Sequence, residues 1–150
     1  MKSTIATGIL LFLFLLFQPI TTIAQNIKVF YLIGKPLSSA VKEYGKPAHQ
    51  DKSNPAMECV FYKTQTLQLV FVANAKGIFQ AEATKGYGSK SSAIKDLNEV
   101  ISSSIKHGFV SDTLSTTEFQ IHKDGVSAEI FLFENVGSQK FEVRVKAKGH

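Results

Sequence analysis

The chain has 150 residues, 44% apolar, 11% aromatic and 19% charged, and a net charge of +5. This balance excludes a collagen-like, low-complexity or charge-driven disordered chain and leaves room for one domain. A single cysteine excludes an intramolecular disulfide framework and a multi-cysteine zinc site.

The N-terminal segment reads as an export signal. Lys2 gives a positive start, Ile5 to Phe17 is an uncharged apolar run, and Gln18 and Pro19 break it. Thr22 and Ala24 place small residues ahead of a cleavage point, the third part of a secretory signal. The apolar run is shorter than the roughly 20 residues that a spanning helix needs. The expectation is a signal peptide over residues 1–24, then one domain over 25–150, periplasmic or extracellular, with no transmembrane segment after cleavage. No cysteine follows the run to carry a lipid, and no twin arginine precedes it.

Cleavage would remove only Lys2 and leave 16 basic against 12 acidic residues, with Arg144 the only arginine. Readers of nucleic acid rely on arginine forks and clustered aromatics. Scattered lysines therefore argue against nucleic acid and for a solvated surface, with at most a weak pull toward anionic surfaces. Arg144, Lys146 and Lys148 recur with period two and would form a small basic strip on one face of the last strand.

After the signal, Ile27 to Ile33 is an apolar lead-in, a strand or an ordered N-terminal arm. Pro36 opens a short helix with Leu37, Ala40, Val41 and Tyr44 on one stripe, and Gly45 and Pro47 end it. Lys46 to Pro55 reads as a loop. Three strands follow at 58–62, 67–73 and 78–83, with connections short enough for hairpins. Lys85 to Ser92, rich in glycine and serine, reads as a flexible linker. A second helix runs from about Ser92 to His107 with Ile94, Leu97, Ile101 and Ile105 as its core stripe. Gly108 ends it, and Phe109 folds back on the cap. Three further strands lie at 116–122, 126–133 and 141–147, the first two joined by the Asp124-Gly125 turn.

Each half thus reads as a helix followed by three strands, over about 27–84 and 91–148. The expected class is α+β: two helix-then-three-strand units forming antiparallel sheet, with both helices on one side.

The stretch Ile33-Gly34-x-Pro36-x-x-x-x-Val41-x-x-Tyr44-Gly45-x-Pro47, followed by strands, resembles the helix-opening motif of SmpA/OmlA-type envelope proteins. It is also similar to the tandem helix-plus-sheet modules of the β-lactamase-inhibitor-protein-like group. The resemblance implies a short helix packed on antiparallel sheet and a role in binding other proteins. The chain departs from both groups, having neither a lipobox cysteine nor paired cysteines. As a whole it resembles small exported proteins of the Bacteroidetes. No functional residue is carried over.

The residues assemble no recognisable catalytic motif. Cys59 shares a strand face with Met57 and Phe61 and reads as a small core hydrophobe that resists alkylation. Ser92-x-x-Lys95 reads as a helix cap with a surface lysine. His49, His107, His122 and His150 lie at no metal-binding spacing, and Gly86-Tyr87-Gly88 is an incomplete phosphate loop. The expectation is a non-enzymatic binding module of the cell envelope, with no metal and no cofactor. Its partner would be an envelope protein. The alternative is a small-molecule or lipid carrier, with a pocket for a small apolar ligand between sheet and helices. The candidate contact residues are Tyr62, Tyr87, Arg144 and Lys146, chosen as large side chains near loops or on the basic strip.

Overall fold

The computed structural model describes residues 26–54 and 56–150. The signal expected over residues 1–24 lies outside them. The elements are a 3-10 turn Val29–Leu32, α1 Leu37–Tyr44, β1 His49–Asp51, β2 Glu58–Lys63, β3 Leu67–Asn74 and β4 Gly77–Tyr87. Then come α2 Lys90–Lys106, β5 Val110–Ser115, β6 Glu118–Lys123, β7 Val126–Asn135 and β8 Lys140–Gly149. None of the described helices is long and apolar enough to cross a membrane.

All eight strands form one antiparallel sheet in the order β1-β2-β3-β4-β8-β7-β6-β5. This corrects the expected α+β pair of helix-then-three-strand units. Each half carries a four-stranded meander, and the halves fuse through β4 and β8 into one sheet-dominated fold, with Ala83 opposite Val145 at the join. The strands that the sequence hid are the edges. Every residue of β1 is exposed, and in β5 only Ser111 is not. A strand that is wet on both sides has no reason to alternate, so periodicity is silent there.

One face of the sheet carries the core. Val60 and Tyr62 of β2, Leu69 and Phe71 of β3, Ala81 and Ala83 of β4 point to it. So do Val143 and Val145 of β8, Ala128 and Ile130 of β7, and Ile121 of β6. Both helices and the 3-10 turn pack on this face. The lead-in is therefore a core plug rather than a strand: Val29, Phe30 and Leu32 are buried, with the Phe30 ring 5.2 Å from Phe109.

Helix α1 follows the sequence reading in its ends and in Ala40 and Tyr44, which are buried, but Val41 of the expected stripe is exposed. Pro36 is its N-cap, and Gly45 ends it at φ 80° with its N–H on the Val41 carbonyl, a conformation in which a Cβ would be strained. Tyr44 packs 5.5 Å from Phe71 and donates its hydroxyl to the Asn26 carbonyl. In α2 the buried stripe is Ala93, Leu97, Val100 and Ser104, whereas Ile94 and Ile105 are exposed. The expected stripe is thus rotated toward small residues. They let the helix lie close over the sheet, where larger side chains would hold it off. Phe109 does fold back: its N–H bonds to Ser104 and that of Gly108 to Ile105, closing the helix with a Schellman motif.

The linker expected over Lys85 to Ser92 is also corrected. Strand β4 continues to Tyr87, paired with Phe141, and Ser89 caps α2 by accepting from the Ser92 N–H. At the other end of β4, Gly77 sits at φ 117°, and a Cβ there would stand 2.8 Å from the carbonyl oxygens of Gly34 and Lys35. That close approach allows Gly34 and Lys35 to exchange backbone hydrogen bonds with Ile78, which ties the lead-in to the sheet.

Candidate functional site

The second face of the sheet is covered by none of the described elements. It holds two apolar patches separated by a polar belt. On β2 and β3, Cys59, Phe61, Val70 and Val72 lie half-buried, with the His49 ring 5.7 Å from Phe61. On β7, Phe131 and Phe133 lie half-buried with ring centroids 5.9 Å apart. Glu82 and Thr84 of β4 and Lys146 and Arg144 of β8 lie between the patches, and the register continues their rows to Glu129 and Gln120, and to Phe131 and Glu118.

Arg144 is the organising residue of this face. Its Nε donates to Thr84 Oγ1 at 3.2 Å and lies 3.5 Å from Glu82 Oε1. Its guanidinium carbon stands 4.9 Å from the Phe133 ring centroid and 5.8 Å from that of Phe131. Lys146 Nζ lies 5.7 Å from the Phe131 ring. Cations over aromatic faces are attracted by the ring quadrupole, and the flat guanidinium gains most from stacking. Arg144 is therefore held on three sides, with its side chain 31% exposed. A hollow of about 390 Å³ opens over Phe131 and Phe133, walled by Thr117, Glu118, Glu129 and Lys146. A second, of about 440 Å³, opens over the small side chain of Ser127 and is walled by Gln80, Gln120, His122 and Lys148.

Of the four contact residues expected from sequence, the structure brings Arg144 and Lys146 together on this face. It places Tyr62 elsewhere, buried in the core 5.7 Å from Tyr44, with its hydroxyl unpaired among the described residues. Tyr87 lies on the helix side, its hydroxyl bonded to the Asp96 carboxylate, which also takes Lys85 at 2.9 Å. Burial, and then the Asp96 carboxylate, push the Tyr87 phenol far above its ordinary range. This cluster binds β4 to α2. Sequence reasoning missed Phe131 and Phe133. The signal was available: with Ile130 and Leu132 facing the core, alternation throws two phenylalanines onto the opposite face.

Cys59 is a second correction. It does not face the core but lies half-buried on the uncovered face, opposite Val72 and Asp51 in register. Ser127 Oγ lies 2.9 Å from His150 Nε2, and His122 Nδ1 lies 3.7 Å from Asp112. Ser127 sits within the β6–β7–β8 ladder, so strand pairing engages the backbone N–H groups around it rather than leaving them to hold an oxyanion. Among the described residues, no cluster of three or more His, Cys, Asp or Glu side chains is disposed to hold a metal ion.

The sheet edges are blunted. Strand β1 has three residues, all exposed, with a histidine and an aspartate, and β5 carries Asp112 and a register irregularity between Thr113 and Ser115. Short, charged or bulged edges resist pairing with a further strand. The face is the larger unsatisfied surface.

The sequence matches no protein-family model and no curated protein. Among solved structures there is a likeness to a cysteine-rich secretory protein from Staphylococcus aureus, at TM-score 0.41 and 12% identity, covering 77% of this chain and 44% of that one. There is another to an extracellular protein containing an SCP domain from Bacillus anthracis, at TM-score 0.42 and 11% identity, covering 81% of this chain and 46% of that one. The chain spans less than half the length of each.

Proposed function

We propose that the chain is an exported, non-enzymatic binding module that docks a protein partner on the uncovered face of its sheet. The observation that carries the reading is the set of large apolar side chains, Phe61, Val70, Val72, Phe131 and Phe133, left half-buried on a face with no covering element. Apolar patches left uncovered and rimmed by polar groups mark an interaction site. Export is supported by the signal-like segment at residues 1–24. A carrier pocket between sheet and helices is disfavoured because Phe30, Tyr44, Phe71 and Leu97 fill that layer.

The test is site-specific photo-crosslinking in the native envelope. A photoreactive side chain is placed at Gln80 or Gln120, both exposed on the uncovered face, or at Ser102 on the exposed side of α2. The same partner captured from Gln80 and Gln120, not from Ser102, and lost on Phe131→Ala is the expected result. Equal capture from Ser102, or capture indifferent to Phe131→Ala, refutes the reading.

A further inference from the structure

We infer that Arg144 is the receptor for a single carboxylate on the docked partner, carried next to an aromatic or aliphatic side chain that enters the hollow over Phe131 and Phe133. This deepens, and rests on, the reading of the uncovered face as a docking surface. Arg144 is anchored through Nε alone: its hydrogen bond runs to Thr84, and its closest carboxylate contact is to Glu82. Its two Nη nitrogens make no hydrogen bond to the described residues. The guanidinium carbon lies 4.9 Å from the Phe133 ring centroid and 5.8 Å from that of Phe131, so the rings restrict where the group can move. A fork held rigid at its base, with its tines unengaged, is pre-organised for two parallel N–H···O bonds to a carboxylate.

The surrounding charge selects among anions. Around the site, Glu82, Glu118, Glu129 and Glu142 share the face with Arg144, Lys140, Lys146 and Lys148, and Glu82 Oε1 stands 3.5 Å from Arg144 Nε. A phosphate dianion, a nucleic-acid backbone or an anionic membrane would meet as many carboxylates as cations, so the repulsion from the carboxylates grows with the charge of the visitor and no net positive charge offsets it. One carboxylate approaching in the guanidinium plane keeps most of the attraction. The rings beneath supply apolar contact beside that charge. An acidic side chain or chain terminus flanked by an apolar residue, on a protein partner, has both features.

The test uses the fact that the chain holds one arginine. Its Nε–Hε pair therefore gives a single, unambiguous NMR signal in the uniformly labelled protein. The probes are N-acetyl-phenylalanine, its carboxamide, and inorganic phosphate. The expected result is a saturable shift of the Arg144 Nε–Hε signal with N-acetyl-phenylalanine, at about millimolar affinity for so small a fragment. The carboxamide binds at least about tenfold more weakly because it loses the charge-assisted pair. Followed on the backbone amide signals of Phe131 and Phe133, which report the hollow in both proteins, Arg144→Lys keeps the charge, loses the fork and abolishes that preference. Equal shifts from acid and amide, a preference retained in Arg144→Lys, or tighter binding of phosphate each overturn the inference. Photo-crosslinks from Gln80 and Gln120 that persist beside such a result show that the docking face stands and only its carboxylate receptor is refuted. Crosslinks that fail as well refute the docking reading itself.

Discussion

Strand β7 places Ala128, Ile130 and Leu132 on one side and Phe131 and Phe133 on the other. The first three are buried under the helices, while the two phenylalanines, larger and no less apolar, remain half exposed. The contrast repeats on β3, where Leu69 and Phe71 are buried and Val70 and Val72 are not. Hydrophobicity alone does not decide burial in this sheet; the presence of a covering layer does. The helix side holds the fold together, and the opposite side retains apolar surface that folding does not require.

The sharpest way to break that comparison is to delete one ring from each side. Phe71 is fully buried against Tyr44 and Tyr62. Phe71→Ala should cost about 3–5 kcal/mol, the transfer of the ring plus the cavity it leaves. Phe131→Ala should cost under about 1.5 kcal/mol, since the ring is already partly open to water and no closed cavity forms. Chemical denaturation of both variants measures the difference. Similar losses would mean that the two faces do not differ in what they contribute.

Alkaline pH offers the next largest effect, confined to the covered side. Burial pushes the phenols of Tyr44, Tyr62 and Tyr87 above their ordinary range, with Glu43 adding to the shift at Tyr44 and Asp96 at Tyr87. The unfolded chain releases tyrosine protons near about pH 10, whereas the folded chain keeps them. Stability from this source is therefore whole below that pH and falls above it, at a limiting slope of about 1.4 kcal/mol per pH unit for each tyrosine. Denaturation midpoints followed upward from pH 9 should show the fall, and Tyr87→Phe should make it shallower. A slope unchanged in Tyr87→Phe would refute the assignment.

A smaller effect of opposite sign is expected at Tyr62. Its hydroxyl is buried without a partner among the described residues, so it carries a desolvation cost that nothing offsets. Tyr62→Phe removes the oxygen and keeps the ring. It should stabilise by up to about 1 kcal/mol and leave partner capture intact. A loss of stability would reveal a partner for the hydroxyl in solution.

These residues also show what could be read from the sequence. Punctuation was legible where one residue type has one physical use: Pro36 and Gly45 around α1, Gly108 and Phe109 after α2, and Asp124-Gly125 between β6 and β7, both at positive φ. Alternation located the inner strands. It failed at β1, exposed along its length, at β5, where only Ser111 is covered, and at α2, where Ala93, Val100 and Ser104 join Leu97 against the sheet while Ile94 and Ile105 are exposed. That Arg144 and Lys146 share one face was legible because they sit in an alternating strand. Phe131 and Phe133 were hidden in a run that read as continuously apolar, and Tyr62 was misplaced because alternation gives two faces but not which one is covered.

Cys59 belongs to the same ambiguity and yields the mildest prediction. On the core side it would be sealed; on the uncovered face its resistance to alkylation must come from chemistry. Burial by its neighbours pushes the thiol up, and the Asp51 carboxylate opposite adds to it. Only the thiolate attacks iodoacetamide, so at neutral pH labelling should run slower than that of a free cysteine and rise steeply as pH climbs past the ordinary thiol range. Asp51→Asn should speed it, which a sealed core thiol would not notice. Labelling at the free-cysteine rate at pH 7 would refute the raised thiol. A rate indifferent both to Asp51→Asn and to pH would return Cys59 to the covered side, and with it the assignment of which face of β2 is open.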